Sequence, residues 1–307
     1  MMRKLLYVMP NVGFKGFSWE PLAAGYLHAY IKAHGWEGEA QYLSALPRWD
    51  DADRILRAGA TSDLVGFYAT SPQYKHACEL AQAIKEENPS VGCVLGGPHV
   101  SAVPEDVAAV EANGKPLWDH LVIGEGEEAW RQIVMEEAKE RVLKLPFIAD
   151  VDTIPFPDRV LARMSHQLDI TQELDGKRIG SLFGSRACPA KCTFCSSRIV
   201  WGRSPRNRSP KNIMDEVERL VDTFKIERYR FADDIFCFSS QTGVSKARDM
   251  AEEVQKRGLE WLPWECNLRG NISETDLEWL ARAGCNLVNI GVETGAEPAF
   301  GEASDGN

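Results

Sequence analysis

Three cysteines, Cys188, Cys192 and Cys195, stand in the run Gly184-Ser185-Arg186-Ala187-Cys188-Pro189-Ala190-Lys191-Cys192-Thr193-Phe194-Cys195, separated by three residues and then two. This spacing lets one short loop aim three thiolates at a common point. Three thiolates leave a tetrahedral zinc site one ligand short, whereas they can hold a four-iron four-sulfur cluster and leave one iron open. On spacing alone, three structural cysteines or part of a zinc site remain the alternatives. Residues 178–183 ahead of the loop read as a short apolar strand. The loop is therefore predicted at a strand's C-terminal end, where parallel α/β architectures gather their chemistry.

The rest of the chain supports such an architecture. Apolar runs at residues 5–9, 39–43, 64–69, 93–95 and 120–123 alternate with helical periodicity over 21–33, 73–87, 105–111 and 127–139. Strand then helix, repeated, predicts a Rossmann-like, doubly wound parallel sheet. Several predicted strands end in glycine or small polar residues: Thr70-Ser71, Gly96-Gly97 and Gly124-Glu125-Gly126. Ligands of doubly wound sheets lie over such ends, and glycine permits close backbone approach. None of these loops is a phosphate fingerprint, for there is no Gly-x-Gly-x-x-Gly after the first strand and no P-loop lysine. Between residues 143 and 177, Pro146, Pro155 and Pro157 break the pattern. This segment reads as an ordered connector packed by Phe147, Ile154 and Phe156. After the cysteine loop the alternation resumes. Ser209-Pro210 starts a helix, and a strand over 228–232 ends in Asp233-Asp234. A helix near 245–257, a strand near 261–267, a helix near 274–283 and a strand over 286–292 follow. These are the first units of a partial parallel (βα) barrel. The expected division is a sheet domain over 1–142, a linker over 143–177 and the partial barrel over 178–307.

A net charge of −10 disfavours a nucleic-acid partner. The local exception is Arg198, Arg203, Arg206, Arg208 and Lys211, read as a solvated basic loop or, alternatively, a clamp for a carboxylate or phosphate. Cys78, Cys93, Cys237, Cys266 and Cys285 are scattered singly, which suits free thiols in a reducing cytoplasm and not a disulfide scaffold. No apolar run reaches membrane-spanning length. The short apolar start is closed by Pro10-Asn11 and reads as a first buried strand, not a signal peptide.

The cysteine spacing, with Phe194 just ahead of the third cysteine, resembles the radical S-adenosylmethionine superfamily. The segments Trp19-Glu20-Pro21-Leu22-Ala23-Ala24-Gly25-Tyr26-Leu27, Val94-Leu95-Gly96-Gly97-Pro98-His99 and Val122-Ile123-Gly124-Glu125-Gly126-Glu127 resemble the cobalamin-binding domain that precedes many members. The resemblance implies a 4Fe-4S cluster on Cys188, Cys192 and Cys195 whose open iron chelates S-adenosylmethionine. An electron from the cluster then yields a 5′-deoxyadenosyl radical. By the same resemblance, Phe194 lies by the adenine and Asp233 and Asp234 near the amino group, a helix cap or surface turn being the alternative for the two aspartates. Arg269, from its place after the third strand, is expected to pair with the methionine carboxylate or, alternatively, to form a structural salt bridge. Gly291 and Glu293, in Ile290-Gly291-Val292-Glu293-Thr294-Gly295, lie near the ribose. Cobalamin would lie across Thr70, Ser71, Gly96, Gly97, Gly124, Glu125 and Gly126. The Asp-x-His-x-x-Gly motif that supplies a cobalt-ligating histidine elsewhere is absent, so His28 and His99 are not assigned as ligands. The implied activity is methyl transfer to an unactivated carbon. Radical ring formation or rearrangement without methyl transfer, or a non-catalytic cofactor-binding module, are the alternatives. Implied partners are a small-molecule or natural-product-like substrate and a reductant protein such as flavodoxin or ferredoxin. Residues after Glu297 carry no strand or helix period, and further βα units of the family do not follow, so a C-terminally incomplete member is expected.

Overall fold

The structure is a computed structural model that describes residues 2–12, 20–237 and 245–292. The chain divides into two compact units. One is Met1–Ile148 with Ile154–Met164 and Ile199–Trp201, and the other is Ala149–Thr153 with Ser165–Arg198 and Gly202–Asn307. Among the described residues no helix is long and apolar enough to cross a membrane.

In the first unit the strands are β1 (Lys4–Met9), β2 (Glu39–Ser44), β3 (Leu64–Tyr68), β4 (Gly92–Gly96), a small antiparallel pair β5 (Glu111–Ala112) and β6 (Lys115–Pro116), β7 (His120–Val122) and β8 (Val142–Leu143). Six of them form one sheet in the order β2-β1-β3-β4-β7-β8, with every pairing parallel. Successive side chains of a strand face opposite ways. Along β1, Leu6 and Val8 therefore join the core of Val65, Leu95 and Ile84. Leu5 and Tyr7 join that of Ile31, Val94 and Trp130 on the other side. Burial on both faces is why these strands read as unbroken apolar runs. The winding reverses between β1 and β3, the position at which open α/β sheets leave a crevice.

Several elements differ from the sequence expectation. A helix over Ala52–Ala60 was not anticipated; Asp51 caps it by accepting from Arg54 N at 2.7 Å, and Ile55 anchors it in the core. The predicted helix over 105–111 is two short helices, Pro98–Ala102 and Pro104–Ala108, because Val103 before Pro104 leaves helical geometry at φ −136°. The helix from Glu127 ends at Val134, and Glu136 sits in the left-handed region at φ 60°. Within the proline-rich stretch, β8 adds a sixth strand to the sheet, and Met164–Asp175 forms a full helix instead of irregular chain.

The second unit holds β9 (Ile179–Leu182), the antiparallel pair β10 (Ser185–Arg186) and β11 (Arg206–Asn207), β12 (Arg228–Phe231), β13 (Trp264–Leu268) and β14 (Cys285–Ile290). A four-stranded parallel sheet runs β14-β13-β12-β9. Helices Pro210–Phe224, Lys246–Arg257 and Glu274–Arg282 alternate with its strands. Ser209, Ser245 and Ser273 cap them, accepting from Asn212 N (3.2 Å), Arg248 N (3.1 Å) and Asp276 N (3.1 Å). Tyr229, Phe231, Phe236 and Trp264 pack ring on ring beneath the strand ends. The architecture is thus the expected one, a Rossmann-like sheet followed by a parallel βα sheet.

Candidate functional site

The cysteine loop begins where β9 stops. Its root, β10, is pinned by pairing of Ser185 with Asn207 and Arg186 with Arg206. Ala187, directly before Cys188, stands at φ 75°, a left-handed conformation that redirects the chain. Cys188 is buried, Cys192 half-buried and Cys195 exposed. A tight turn joins the last two, with Cys195 N donating to Cys192 O at 3.3 Å. Burial pushes the Cys188 thiol up. A backbone hydrogen bond at Ala190 opposes this, and Asp234, Cys195 and Cys192 push further up, so those three groups all lie within its electrostatic reach.

This donor set fits a cubane. Three thiols from one loop, spaced by three residues and then two, supply one ligand to each of three irons and leave the fourth open. Coordination requires the thiolate, so the burial that pushes the Cys188 thiol up is a cost that iron binding must offset.

The neighbouring strand ends bring further predicted residues to the same edge of the sheet. Asp234 follows β12, is exposed, and accepts from Ser197 Oγ. Asp233 beside it is buried, and its Oδ1 accepts from Gly184 N at 2.6 Å. Arg269 follows β13, is half-buried, and has no ion-pair partner among the described residues. Gly291 follows β14 and is exposed, whereas Glu293 and Thr294 lie outside the described residues. Phe194 is 60% exposed on the loop. The basic run is divided. Arg208 is buried, donating to Glu216 at 2.6 Å and to Phe183 O at 2.8 Å, and Lys211 pairs with Asp215 at 2.8 Å. Glu265 faces Arg228 (3.6 Å) and Arg230 (3.8 Å) along the strands.

In the first unit, Thr70-Ser71 and Gly124-Glu125-Gly126 follow β3 and β7, and Gly96-Gly97 closes β4 between them, three adjacent strands. Sheet order therefore gathers them on one edge. Gly97 stands at φ 103°, and a Cβ there would meet Ala69 O at 2.9 Å. Gly124, at φ 83°, has its N–H donated to Ser101 Oγ at 3.0 Å. Glu125 is turned inward, its Oε2 accepting from Ile148 N at 3.0 Å. Ser71 Oγ lies 3.0 Å from His99 Nδ1.

One residue at this edge escaped the sequence reading. Gln73 is buried; its Oε1 accepts from Thr70 N (3.0 Å) and its Nε2 donates to Pro10 O (2.8 Å). It ties the end of β1 to the end of β3 at the switch point. The signal was present, since Thr followed three residues later by Gln is a capping box. Lys246, paired with the buried Asp233, carried no such signal.

Two cofactor-domain folds are therefore defined, one per unit. Residues 12–134 match the B12 binding domain and residues 182–301 the radical SAM superfamily. The chain belongs to the cobalamin-binding radical SAM family, whose cofactors are cobalamin, a 4Fe-4S cluster and S-adenosylmethionine. It is 27% identical to an uncharacterized methyltransferase of Pyrococcus horikoshii, over 95% of this chain and 65% of that protein. Identity is 26% to the cytidylyl-2-hydroxyethylphosphonate methyltransferase of Streptomyces wedmorensis, over 92% of this chain and 62% of that one. It is 28% to the anaerobic magnesium-protoporphyrin IX monomethyl ester cyclase of Rubrivivax gelatinosus, over 96% and 56%. The fold matches that of the radical S-adenosylmethionine methyltransferase TsrM from Kitasatospora setae, solved with tryptophan and a SAM analogue bound, with a TM-score of 0.72 and 19% identity over 99% of this chain and 62% of that one. The chain thus spans less than two thirds of the length of each of these relatives.

Proposed function

We propose that this protein is a cobalamin-dependent radical SAM methyltransferase acting on an unactivated carbon of a small molecule in the cytoplasm, with a flavodoxin- or ferredoxin-like reductant. The observation that carries the reading is the cysteine loop at the end of β9, with Asp234, Arg269 and Gly291 on the ends of the adjacent strands. When bound, the cluster supplies the electron that cleaves S-adenosylmethionine, and cobalamin carries the transferred methyl group.

The chain's residues have separate tasks. Cys188, Cys192 and Cys195 each give a thiolate to one iron. Asp234, exposed just after the end of β12, offers a carboxylate to the ammonium of S-adenosylmethionine. Arg269, without another anionic partner among the described residues, pairs with the methionine carboxylate. Phe194 presents its exposed ring to the adenine, and Gly291 leaves room beside the ribose. In the first unit Gly96, Gly97, Gly124 and Gly126 give a side-chain-free rim for the corrin, with Thr70 and Ser71 offering hydroxyls and Glu125 bracing the rim from inside.

The test is product analysis on the anaerobically reconstituted chain given S-adenosylmethionine, hydroxocobalamin and a chemical reductant. Formation of both 5′-deoxyadenosine and S-adenosylhomocysteine is expected. 5′-Deoxyadenosine without S-adenosylhomocysteine would replace methyl transfer with radical ring formation or rearrangement, the first of which the cyclase relative's name denotes. Neither product would remove the proposal.

A further inference from the structure

We infer that Asp233 and Lys246 form a buried latch that fixes the root of the cysteine loop, which makes both of them positioning residues for the cluster. This rests on the cluster reading above.

The β9–β12 ladder ends at Ala232 N, which donates to Leu182 O at 2.8 Å. Beyond that point the chain of β9 leaves the sheet, and the Asp233 side chain takes over as its partner. Oδ1 accepts from Gly184 N at 2.6 Å, and Oδ2 accepts from Ser185 Oγ. The carbonyl of Gly184 is held from the other side, accepting from Arg208 N at 3.0 Å. Both backbone groups of Gly184 are thus engaged, four residues ahead of Cys188. The approach depends on glycine, because a Cβ at Gly184 would stand 2.9 Å from the Phe231 ring.

Asp233 is itself immobilised. Asn267 Nδ2 donates to Asp233 O at 2.9 Å, and Phe236 N donates to Asn267 O at 2.9 Å, so the turn is tied to β13. Its carboxylate is fully buried and lies 3.5 Å from Lys246 Nζ, which sits 4.2 Å from the centre of the Phe236 ring. A buried carboxylate without a counter-charge would be costly, and Lys246 offsets it. Burial pushes the Asp233 carboxyl up and the Lys246 ammonium down, each opposed by the other, as expected of a desolvated pair. With both oxygens occupied from within the protein, Asp233 differs from Asp234, whose carboxylate is exposed.

The latch is tested on the reduced chain by iodoacetamide labelling and peptide mass mapping. In the unaltered protein Cys195 labels fast and Cys188 slowly, as their exposure dictates. In Asp233→Asn the amide cannot accept from both donors, so Cys188 labelling rises by at least ~10-fold. Cys266, buried in the same unit, stays protected and reports that the unit is folded. Lys246→Arg keeps Cys188 slow. The double variant Asp233→Asn with Lys246→Met has no unpaired charge but lacks the hydrogen bonds, and it labels at Cys188 as fast as Asp233→Asn. Slow labelling in either Asn variant would overturn the latch. If Asp233→Asn also exposes Cys266, the double variant decides alone.

After reconstitution, the reduced cluster of the double variant is expected to show shifted EPR g-values, while Lys246→Arg keeps those of the unaltered protein; identical spectra in all three would also overturn the latch. The two readings separate cleanly. An unaltered chain that takes up no iron or sulfide refutes the cluster, whereas the labelling of Cys188 judges the latch by itself.

Discussion

Gly97 carries the hardest steric demand on the strand-end edge of the first unit. The carbonyl oxygen of Ala69 that a Cβ would strike already accepts from His99 N at 3.1 Å, so it cannot yield without disturbing the start of the next helix. Gly97→Ala is expected to cost about 1–3 kcal/mol, read as a fall in thermal midpoint. Gly96 is the control, because a Cβ there meets only Val122 Cβ at 3.8 Å. Gly96→Ala is expected to keep the midpoint and to weaken hydroxocobalamin binding in an absorbance titration. Unchanged binding would take Gly96 out of the corrin-facing set. In the sequence the two glycines look alike, and so do Asp233 and Asp234. Residue type announces what chemistry is available. Backbone angle and burial decide which member of each pair turns inward, and neither is written in a dipeptide.

Among the elements, the central strands of the first sheet were the most legible, since two-sided burial makes β1, β3 and β4 apolar runs bounded by polar turns, while β12 and β13 alternate buried and partly exposed residues. Helices with a clear cap were legible too. Ser209 Oγ accepts from Asn212 N at 3.2 Å, and the Ser209 N–H donates to Asp152 Oδ1 at 2.9 Å, tying the start of the helix Pro210–Phe224 to the distant turn at Asp152. Ser209→Ala is expected to remove about 1 kcal/mol, measured by denaturant unfolding; no loss would mean that the Pro210 start suffices. The helix Met164–Asp175 was obscured for a physical reason. Its inward positions include Met164, Gln167, Leu168 and Thr171, which follow helical spacing. Two of those four are polar, so the apolar period is diluted, and Pro155 and Pro157 just upstream suggested irregular chain. The helix Ala52–Ala60 hides in the same way, presenting Ile55 as its main core residue among charges.

At the scale of the molecule, alternating βα units made two parallel sheets readable, but not which strands would be neighbours. Adjacency is what matters for function. It gathers the ends of β3, β4 and β7 in one unit, and those of β9, β12, β13 and β14 in the other. That order is set by packing between elements far apart in the chain, and no local stretch of sequence carries it. The cysteine loop was legible because its donors are contiguous, whereas the latch beneath it joins Gly184, Asp233 and Lys246 from distant parts of the chain. The most direct measurement is iron and inorganic sulfide per chain after anaerobic reconstitution, made on the unaltered protein and on Cys188→Ala/Cys192→Ala/Cys195→Ala. About four of each per chain, with broad visible absorption, are predicted for the unaltered protein and none for the triple variant. A colourless unaltered protein, or a triple variant that keeps its iron and sulfide, would contradict the account.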